Sequence, residues 1–276
     1  MKSIRVHEFG EPGVMKLEEG PDPVPAHNQV VVKVKAIGVN PVDAYIRAGK
    51  YGPKPFPFTP GSDAAGVVES VGMGVSSVKV DDRVYVAGAI NGTYAEKTLC
   101  DEKRVHPLPL NVTFQQGAAI GVPYATAYRA LVHRGQGKPG ETILVHGGSG
   151  GVGTAAIQIA KSLGLTIFAT AGTPKGLDLV RQQGVHHVFN HRQDGYLKEI
   201  MDATHGHGVC LILEMAAHVN LNHDLTMLSK FGRVVVIGSR GPLEINPRET
   251  MVRSTLSLST SRAWQANPAA LATACR

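Results

Sequence analysis

Three glycines near the middle of the chain follow an apolar run and precede a helix-like segment. Gly148, Gly150 and Gly153 have the spacing G-x-G-x-x-G between apolar residues 143–145 and alanine-rich residues 154–160. The first glycine of this pattern allows a tight turn, the second lets a pyrophosphate approach the backbone, and the third lets the helix pack closely on the strand. The spacing alone also fits an ordinary flexible turn. The strand before it and the helix after it favour a dinucleotide site, with the pyrophosphate at the helix N-terminus.

The segment after the next expected strand indicates which dinucleotide binds. An NAD site holds an Asp or Glu there, about 20 residues past the glycines, and this acid binds the ribose hydroxyls. Residues 170–175 read Thr-Ala-Gly-Thr-Pro-Lys and contain no acid. Lys175, with His191 and Arg192 farther along, offers polar or positive groups to a 2′-phosphate. The pattern favours NADPH over NADH, although Lys175 equally fits a solvated loop residue.

The composition is that of a globular protein with a substantial core. The 276 residues are 43% hydrophobic and 18% charged, and no apolar stretch reaches the roughly 18 residues of a membrane span. The first residues lead into polar His7 and Glu8, so no secretory segment is evident. Cys100, Cys210 and Cys275 are odd in number and scattered, which argues against a disulfide framework. We expect a cytoplasmic protein.

The net charge of +6 permits an anionic partner but does not demand one. The 28 Lys and Arg residues are dispersed along the chain. Basic residues interleaved with aromatic ones, the pattern typical of RNA-binding segments, are not found. RNA therefore remains an open partner, and a solvated basic surface is the simpler interpretation.

The first part of the chain has the pattern of β-structure. Residues 29–36, 66–71 and 82–86 alternate apolar and polar side chains, as half-buried strands do. Residues 51–61 contain four prolines and cannot form a helix, so we expect an extended surface loop. Many short strands between turns predict a small barrel or sandwich-like domain.

The second part alternates strands and helices. After helix-like residues 116–121 and 124–132, apolar strands recur with helical stretches between them. The expected strands are 142–146, 166–170, 187–190, 209–214 and 233–238, and the expected helices are 155–163, 177–183, 196–203 and 221–228. This order predicts a doubly wound parallel sheet, an α/β fold that binds ligands beyond the carboxyl ends of its strands.

The chain resembles the medium-chain dehydrogenase/reductase superfamily, and within it the zinc-free quinone oxidoreductases, the group that includes zeta-crystallin. The resemblance covers residues 1–250 and is carried by residues 38–47, 59–63, 117–121, 146–153, 190–192 and 237–240. It implies a GroES-like β domain over 1–118, a Rossmann NADPH-binding domain over 119–251 and a divergent tail over 252–276, for which disorder is one expectation. Members of the family form homo-oligomers.

The zinc ligands of related alcohol dehydrogenases have no counterparts in this sequence. Those enzymes place a Cys near Asn40 and a His near Ser62, and they carry four further cysteines for a structural zinc. We therefore predict no metal. Without zinc to polarise a carbonyl, the expected chemistry is hydride delivery to an acceptor that is already electrophilic, such as a quinone or a conjugated enone.

The resemblance also implies where the cofactor and the acceptor bind. The charge argument makes Lys175 a cofactor contact. The resemblance implies the further cofactor contacts Tyr45, Ser149, Gly150, Gly151, Val152, Gly172, His191, Asn220, Ile237, Gly238, Ser239 and Arg240. Asn40 and Tyr45 are the expected catalytic residues at the nicotinamide and substrate end. The Tyr45 hydroxyl fits a hydrogen-bond donor to the acceptor oxygen, and an aromatic wall of the cleft is an equal alternative.

The resemblance weakens after Met251. Residues 252–262 are rich in Ser and Thr where the family has an apolar sixth strand, so only residues 255–258 fit a thin edge strand. An unpaired sheet edge and a less stable, less associated chain are expected. A crystallin-like structural protein, an RNA-binding protein and a catalytically impaired isoform remain the alternative functions.

Overall fold

The computed structural model describes residues 1–246 and 248 and the backbone of a strand at 254–258. The chain divides into two compact units, Met1–Val122 and Pro123–Arg276. The division lies four residues after the predicted boundary at 118. The segment in between is held by the first unit, because a carboxyl group of that unit, Asp63, accepts a hydrogen bond from the Val122 N–H.

The first unit is built on antiparallel strands. A two-stranded sheet pairs β1 (Lys2–Val6) with β2 (Met15–Glu19). A five-stranded sheet has the order β6-β3-β4-β5-β7. Its strands are β3 (Gln29–Gly38), β4 (Asp63–Val71), β5 (Arg83–Ala87), β6 (Lys97–Asp101) and β7 (Val105–Pro107). All three predicted strands are present, and the core between them is formed largely by valines.

Two short helices complete the first unit. Helix α1 (Pro41–Arg47) begins at Asn40, where a capping box with Asp43 satisfies the free N–H groups of the first turn. Sequence patterning missed this helix because only two turns of it exist. Helix α2 (Phe114–Ala118) packs on β3, β4 and β5, so the chain up to residue 118 belongs to the first unit.

The proline-rich segment is not helical, as predicted, but it is not wholly at the surface. Residues 53–57 are exposed, whereas Phe58, Thr59 and Pro60 are buried. Phe58 forms a β-bridge with Val6, the last residue of β1. The segment therefore ends inside the first unit, just before the strand that carries Asp63.

The second unit contains the predicted parallel sheet, which has six strands. The strand order is β10-β9-β8-β11-β12-β13. The strands are β8 (Thr142–Val145), β9 (Thr166–Ala171), β10 (His187–Asn190), β11 (Val209–Glu214), β12 (Leu228–Val236) and β13 (Ser254–Leu258). Every pairing is parallel. Leu228, predicted as the end of a helix, instead starts β12, because its backbone is extended and pairs with Val209.

Helices cover both faces of this sheet. They are α3 (Gly121–Tyr128), continued by a π-helical segment (Arg129–Arg134), α4 (Gly151–Ser162), α5 (Pro174–Gln182), α6 (Tyr196–Ala203) and α7 (Ala217–Met227). Residues of α4 and α5 pack with Ile143 and Val145, whereas residues of α6 and α7 pack with Leu144 and Ile212. Burial on both faces explains the continuous apolar runs of β8 and β11.

The sixth strand occupies the position that the sequence suggested. Ser254–Leu258 runs parallel to Gly232–Val236 of β12. The expected unpaired edge therefore does not occur on β12. The rest of the predicted tail, residues 252–253 and 259–276, lies outside the described residues. No helix in the described part of the chain is long and apolar enough to cross a membrane.

Candidate functional site

The glycine loop connects the end of β8 to the start of α4. The left-handed backbone that makes the turn is at Gly147, with φ of 61°, one residue before the predicted Gly148. Gly148 has a different role. A Cβ atom there would lie 3.0 Å from Ala169 Cβ and 3.2 Å from Val180 Cγ2, so the residue is small because β9 and α5 pack against it.

Gly150 and Gly153 face different surroundings. A Cβ atom on Gly153 would lie 2.7 Å from Gly148 Cα, which confirms the close contact of helix and loop expected of the third glycine. Gly150 is exposed, and a Cβ atom there would meet only Gly147 O, at 3.4 Å. No side chain caps the N-terminus of α4 at Gly150, and its first turn holds no acidic residue. The free N–H groups there fit a pyrophosphate.

Thr170 at the end of β9 holds the glycine loop in place. The Gly148 N–H donates to the Thr170 carbonyl oxygen at 2.8 Å, and the Gly147 N–H donates to the Thr170 hydroxyl at 3.1 Å. Thr170 is completely buried. The loop is therefore fixed by the neighbouring strand at both of its first two residues.

Ser149 and Lys175 line one cavity of about 710 Å³. Thr173, Gly176 and Asp178 line it as well. The Thr173 hydroxyl caps α5 by accepting the Gly176 N–H at 3.1 Å. Asp178 is ion-paired with Arg181 at 2.7 Å, which offsets its negative charge. The structure thus brings the predicted loop residue Ser149 and the predicted Lys175 to the same opening, where Lys175 is exposed.

Gly172 and His191 lie together at the ends of β9 and β10. A Cβ atom on Gly172 would clash with the His191 ring and would lie 3.0 Å from Arg192 Nε. Burial, followed by the charges of nearby His146 and Arg192, lowers the pKa of His191. His191 is therefore a neutral hydrogen-bonding group, and Arg192 is the cation at this position.

Asn220 and the strand end at 237–240 meet at Glu214, the last residue of β11. The Asn220 amide donates to both Glu214 carboxyl oxygens at 3.2 Å. The Ile237 and Gly238 N–H groups donate to the Glu214 carbonyl oxygen. Ser239 and Arg240 are exposed beyond this point. The predicted second-unit residues therefore follow the carboxyl ends of β8, β9, β10, β11 and β12.

A buried polar cluster lies behind the glycine loop, and sequence reasoning missed it. It consists of His146, Glu214 and Asp224, whose side-chain atoms lie within 4.8 Å of one another. His146 Nε2 lies 2.8 Å from Asp224 Oδ1 and 3.6 Å from Glu214 Oε2. Burial lowers the pKa of His146 and raises the pKa values of Glu214 and Asp224 to about 7. Glu214 and Asp224 lie 68 and 78 residues after His146, so no local sequence pattern connects the three residues.

The first unit carries its own buried polar cluster around Asn40. The Asn40 amide donates to Asp63 Oδ2 at 2.9 Å, and the Asn40 N–H donates to Asp43 Oδ2 at 2.9 Å. The Tyr94 hydroxyl donates to Asp43 at 3.1 Å. Burial raises the pKa of Asp63 to about 7 and also raises that of Asp43. Asn40 is thus held rigidly at the start of α1.

Tyr45 is half-buried on α1, one helical turn beyond Pro41. Its helix is fixed by the Asn40 cluster at one end. At the other end Arg47 donates a hydrogen bond from Nε to the Gly10 carbonyl oxygen at 3.1 Å. Asp43, Asp63 and Tyr94 were not predicted as site residues, although Asp43 and Asp63 lie in two of the segments that carried the resemblance.

Comparison with known proteins places these features in a family. Residues 26–110 match the alcohol dehydrogenase GroES-like domain, and residues 151–273 match the zinc-binding dehydrogenase domain. Human quinone oxidoreductase is 51% identical over 279 residues, covering 98% of this chain and 85% of the relative. The chain belongs to the quinone oxidoreductases of the medium-chain dehydrogenase/reductase superfamily. It is an oxidoreductase, and the match extends beyond residue 250.

Solved structures of relatives share the fold closely. Escherichia coli quinone oxidoreductase complexed with NADPH superposes with a TM-score of 0.88 and is 30% identical, covering 100% of this chain and 86% of the other. A mycobacterial protein complexed with NADPH gives a TM-score of 0.89 at 30% identity, with the same coverage. The zinc-binding dehydrogenase match begins at residue 151, so it includes neither Asn40 nor Ser62.

Proposed function

We propose that this protein reduces quinones or conjugated enones with NADPH and without zinc. The observation that carries the proposal is the exposed, uncapped N-terminus of α4 beside the cavity that contains Ser149 and Lys175. The free N–H groups fit a pyrophosphate, and the lysine fits a 2′-phosphate. Two relatives of the same fold were solved with NADPH, which supports the same cofactor for this chain.

Each group of residues has a proposed role in holding the cofactor. Ser149, Gly150, Gly151 and Val152 bind the pyrophosphate, and Gly150 leaves space for it. Gly172, Lys175 and His191 bind the adenosine end. Residues 220 and 237–240 bind the cofactor toward its nicotinamide end. NADPH, when bound, supplies a hydride, and the protein positions the acceptor and excludes competing reactions.

Asn40 and Tyr45 are the proposed catalytic residues. Asn40 holds its orientation through Asp63, and the Tyr45 hydroxyl donates a hydrogen bond to the acceptor oxygen as negative charge develops there. The sequence contains no recognisable dedicated acid/base pair, so positioning carries most of the catalysis. A carbonyl that is already conjugated needs no metal to polarise it. The scattered cysteines favour a cytoplasmic location for this activity.

The test is NADPH oxidation with a panel of quinones and enones, with NADH in a parallel series. We expect turnover with NADPH that a chelator does not change, and well below one zinc per chain by elemental analysis. Tyr45→Phe should lower kcat/KM by about tenfold, as expected for the loss of one transition-state hydrogen bond. Tyr128→Phe is the matched control and should leave kcat/KM unchanged. Stoichiometric zinc, or no turnover with any acceptor, contradicts the proposal.

A further inference from the structure

His146 connects the glycine loop to the interior of the second unit. Its ring is buried, with 3% of the residue exposed, immediately before Gly147. The ring atom Nδ1 lies 3.4 Å from the Thr170 hydroxyl, and that hydroxyl accepts the Gly147 N–H at 3.1 Å. On its other side, Nε2 lies 2.8 Å from Asp224 Oδ1. One side chain thus links the turn of the loop to α7.

The hydrogen bonds that run from Gly147 through Thr170 and His146 to Asp224 can be assigned a consistent direction. While the Thr170 oxygen accepts the Gly147 N–H, its hydroxyl proton is free to point to His146 Nδ1. In that arrangement Nδ1 carries no proton, and Nε2 carries the proton that it donates to Asp224. Burial keeps the imidazole neutral by lowering its pKa. The neutral ring then satisfies both of its nitrogens.

Glu214 completes the cluster and connects it to a predicted cofactor residue. Its carboxyl oxygens accept hydrogen bonds from the Ala216 N–H and from the Asn220 amide. Two buried carboxyl groups this close cannot both be ionised at low cost, so they share a proton. Asp224 Oδ2 is buried and has no hydrogen-bond partner when both groups are ionised, so it is the oxygen that fits the shared proton. The two carboxyl groups then carry one negative charge between them, next to the neutral His146 ring.

We propose that His146 is a positioning residue that sets the conformation of the glycine loop, acting through the Thr170 hydroxyl and anchored by Asp224. This inference rests on the proposed function, since the loop is the proposed pyrophosphate site. Gly147 has the left-handed backbone of the turn, so the orientation of its N–H decides the direction in which the next N–H groups point. The hydrogen-bonded chain fixes that orientation before the cofactor binds, which removes an ordering cost from binding.

The geometry favours this role over that of a metal site. Two ligands of one tetrahedral zinc ion, each bound at about 2.0 Å, lie roughly 3.3 Å apart. His146 Nε2 and Asp224 Oδ1 are closer than that, at 2.8 Å, which is an ordinary hydrogen-bond distance. The cluster is better described as a set of hydrogen bonds that needs no ion.

The experiment compares Thr170→Val with Thr170→Ser. Valine keeps the shape of the side chain and removes the hydroxyl, whereas serine keeps the hydroxyl and removes the methyl group. We expect Thr170→Val to raise the Kd for NADPH about tenfold, equivalent to about 1.4 kcal/mol, and the KM for NADPH likewise. The kcat at saturating NADPH should stay within about twofold, because the loss is in binding rather than chemistry. Thr170→Ser should keep the wild-type Kd.

Two further variants complete the test. Ile212→Val removes a methyl group from a buried residue of β11 without touching a polar group, so it should lower stability and leave the Kd unchanged. His146→Asn keeps an acceptor near Nδ1 but cannot reach Asp224, so it should also raise the Kd. It carries the test if Thr170→Val does not fold.

Three outcomes would overturn the inference. One is equal NADPH affinity of wild type, Thr170→Val and His146→Asn. The second is a Kd for Thr170→Ser as high as that for Thr170→Val, which would show that packing and not the hydroxyl matters. The third is one equivalent of metal in wild type that is lost in Asp224→Asn. Failure of wild type itself to bind NADPH would instead contradict the proposed function.

Discussion

Gly150 and Gly153 are three residues apart, but their surroundings make opposite demands on them. Gly153 is enclosed by the backbone of the turn, so any side chain there displaces protein atoms. Gly150 is exposed at the N-terminus of α4, so a side chain there costs the folded protein little. Packing therefore requires glycine at 153, whereas at 150 the proposed pyrophosphate site supplies the reason for glycine.

This contrast predicts different effects of substitution at the two positions. Gly150→Asp should raise the Kd for NADPH more than about tenfold, because its side chain and charge occupy the pyrophosphate position. Its thermal midpoint should remain near that of wild type. Gly153→Ala should instead lower the thermal midpoint. Fluorescence titration and thermal unfolding of both variants check this, with Gly150→Ala separating the effect of size from that of charge. Unchanged affinity in Gly150→Asp would contradict the assignment of the loop.

Lys175 should determine the preference for NADPH over NADH. A charge-assisted hydrogen bond from Lys175 to a 2′-phosphate would be worth about 1.5–3 kcal/mol, so Lys175→Ala should raise the KM for NADPH at least about tenfold. The KM for NADH should not change. Lys198→Ala, which removes an exposed lysine on α6, is the control for the change in net charge. Equal KM increases for both cofactors would show that Lys175 does not contact a 2′-phosphate.

Asp63 should make the stability of the protein depend on pH between about 4 and 7. Burial raises its pKa from 3.8 to about 7, so over this range the folded state retains a proton that the unfolded state has released. Stability then falls as pH rises, by at most about 1.4 kcal/mol per pH unit for one proton. Asp63→Asn, which imitates the protonated carboxyl, should remove this part of the pH dependence. Urea unfolding at pH 5 and pH 8 measures it. An identical change in the free energy of unfolding between pH 5 and pH 8 for wild type and Asp63→Asn would show that Asp63 is ionised in the folded state.

At the scale of elements, the centre and one edge of the parallel sheet are formed very differently. β8 and β11 are apolar and buried on both faces, so any parallel fold of this chain would place them at the centre. β13 has the polar sequence Ser-Thr-Leu-Ser-Leu and pairs with β12 over five residues. Its pairing protects the edge of β12 despite its weak apolar character.

The contribution of β13 can be tested with two adjacent prolines. In a parallel strand, alternate N–H groups point to opposite sides, so only one of Leu256 and Ser257 donates to β12. Leu256→Pro and Ser257→Pro should therefore destabilise the protein by different amounts, the larger by about 1 kcal/mol or more. Chemical unfolding of the two variants gives the difference. Wild-type stability in both would mean that the pairing adds nothing.

At the scale of the whole molecule, the cofactor should stabilise the fold. A ligand that binds only the folded state adds about 2.7 kcal/mol at a concentration 100 times its Kd. Thermal unfolding of wild type should therefore shift upward with NADPH, and Gly150→Asp should show a clearly smaller shift at the same NADPH concentration. Equal shifts in both proteins would place the cofactor elsewhere. The expectation that this chain is less stable and less associated than its relatives stays a prediction, which light scattering beside the human relative would test.

RNA binding also stays a prediction at this scale. The 28 basic residues are dispersed, and the net charge is only +6. Binding that depends on phosphates weakens steeply with salt. Titration with RNA at two salt concentrations, with NADPH titrated in parallel, distinguishes an RNA-binding protein from an oxidoreductase. Salt-sensitive RNA binding without NADPH binding would favour the alternative.

Local patterns in the chain were sufficient to predict the strands of the parallel sheet, three of the seven strands of the first unit, most helices and the glycine loop. Alternation and glycine spacing are properties of neighbouring residues, so they are visible without a fold. Other features depended on contacts between distant segments. The His146 cluster joins residues up to 78 positions apart, Asp63 and Asn40 meet across 23, and Thr170 reaches Gly147 across 23. Buried polar groups find their partners only when strands and helices pack. For that reason, the loop was predictable but the side chains that hold it in place were not.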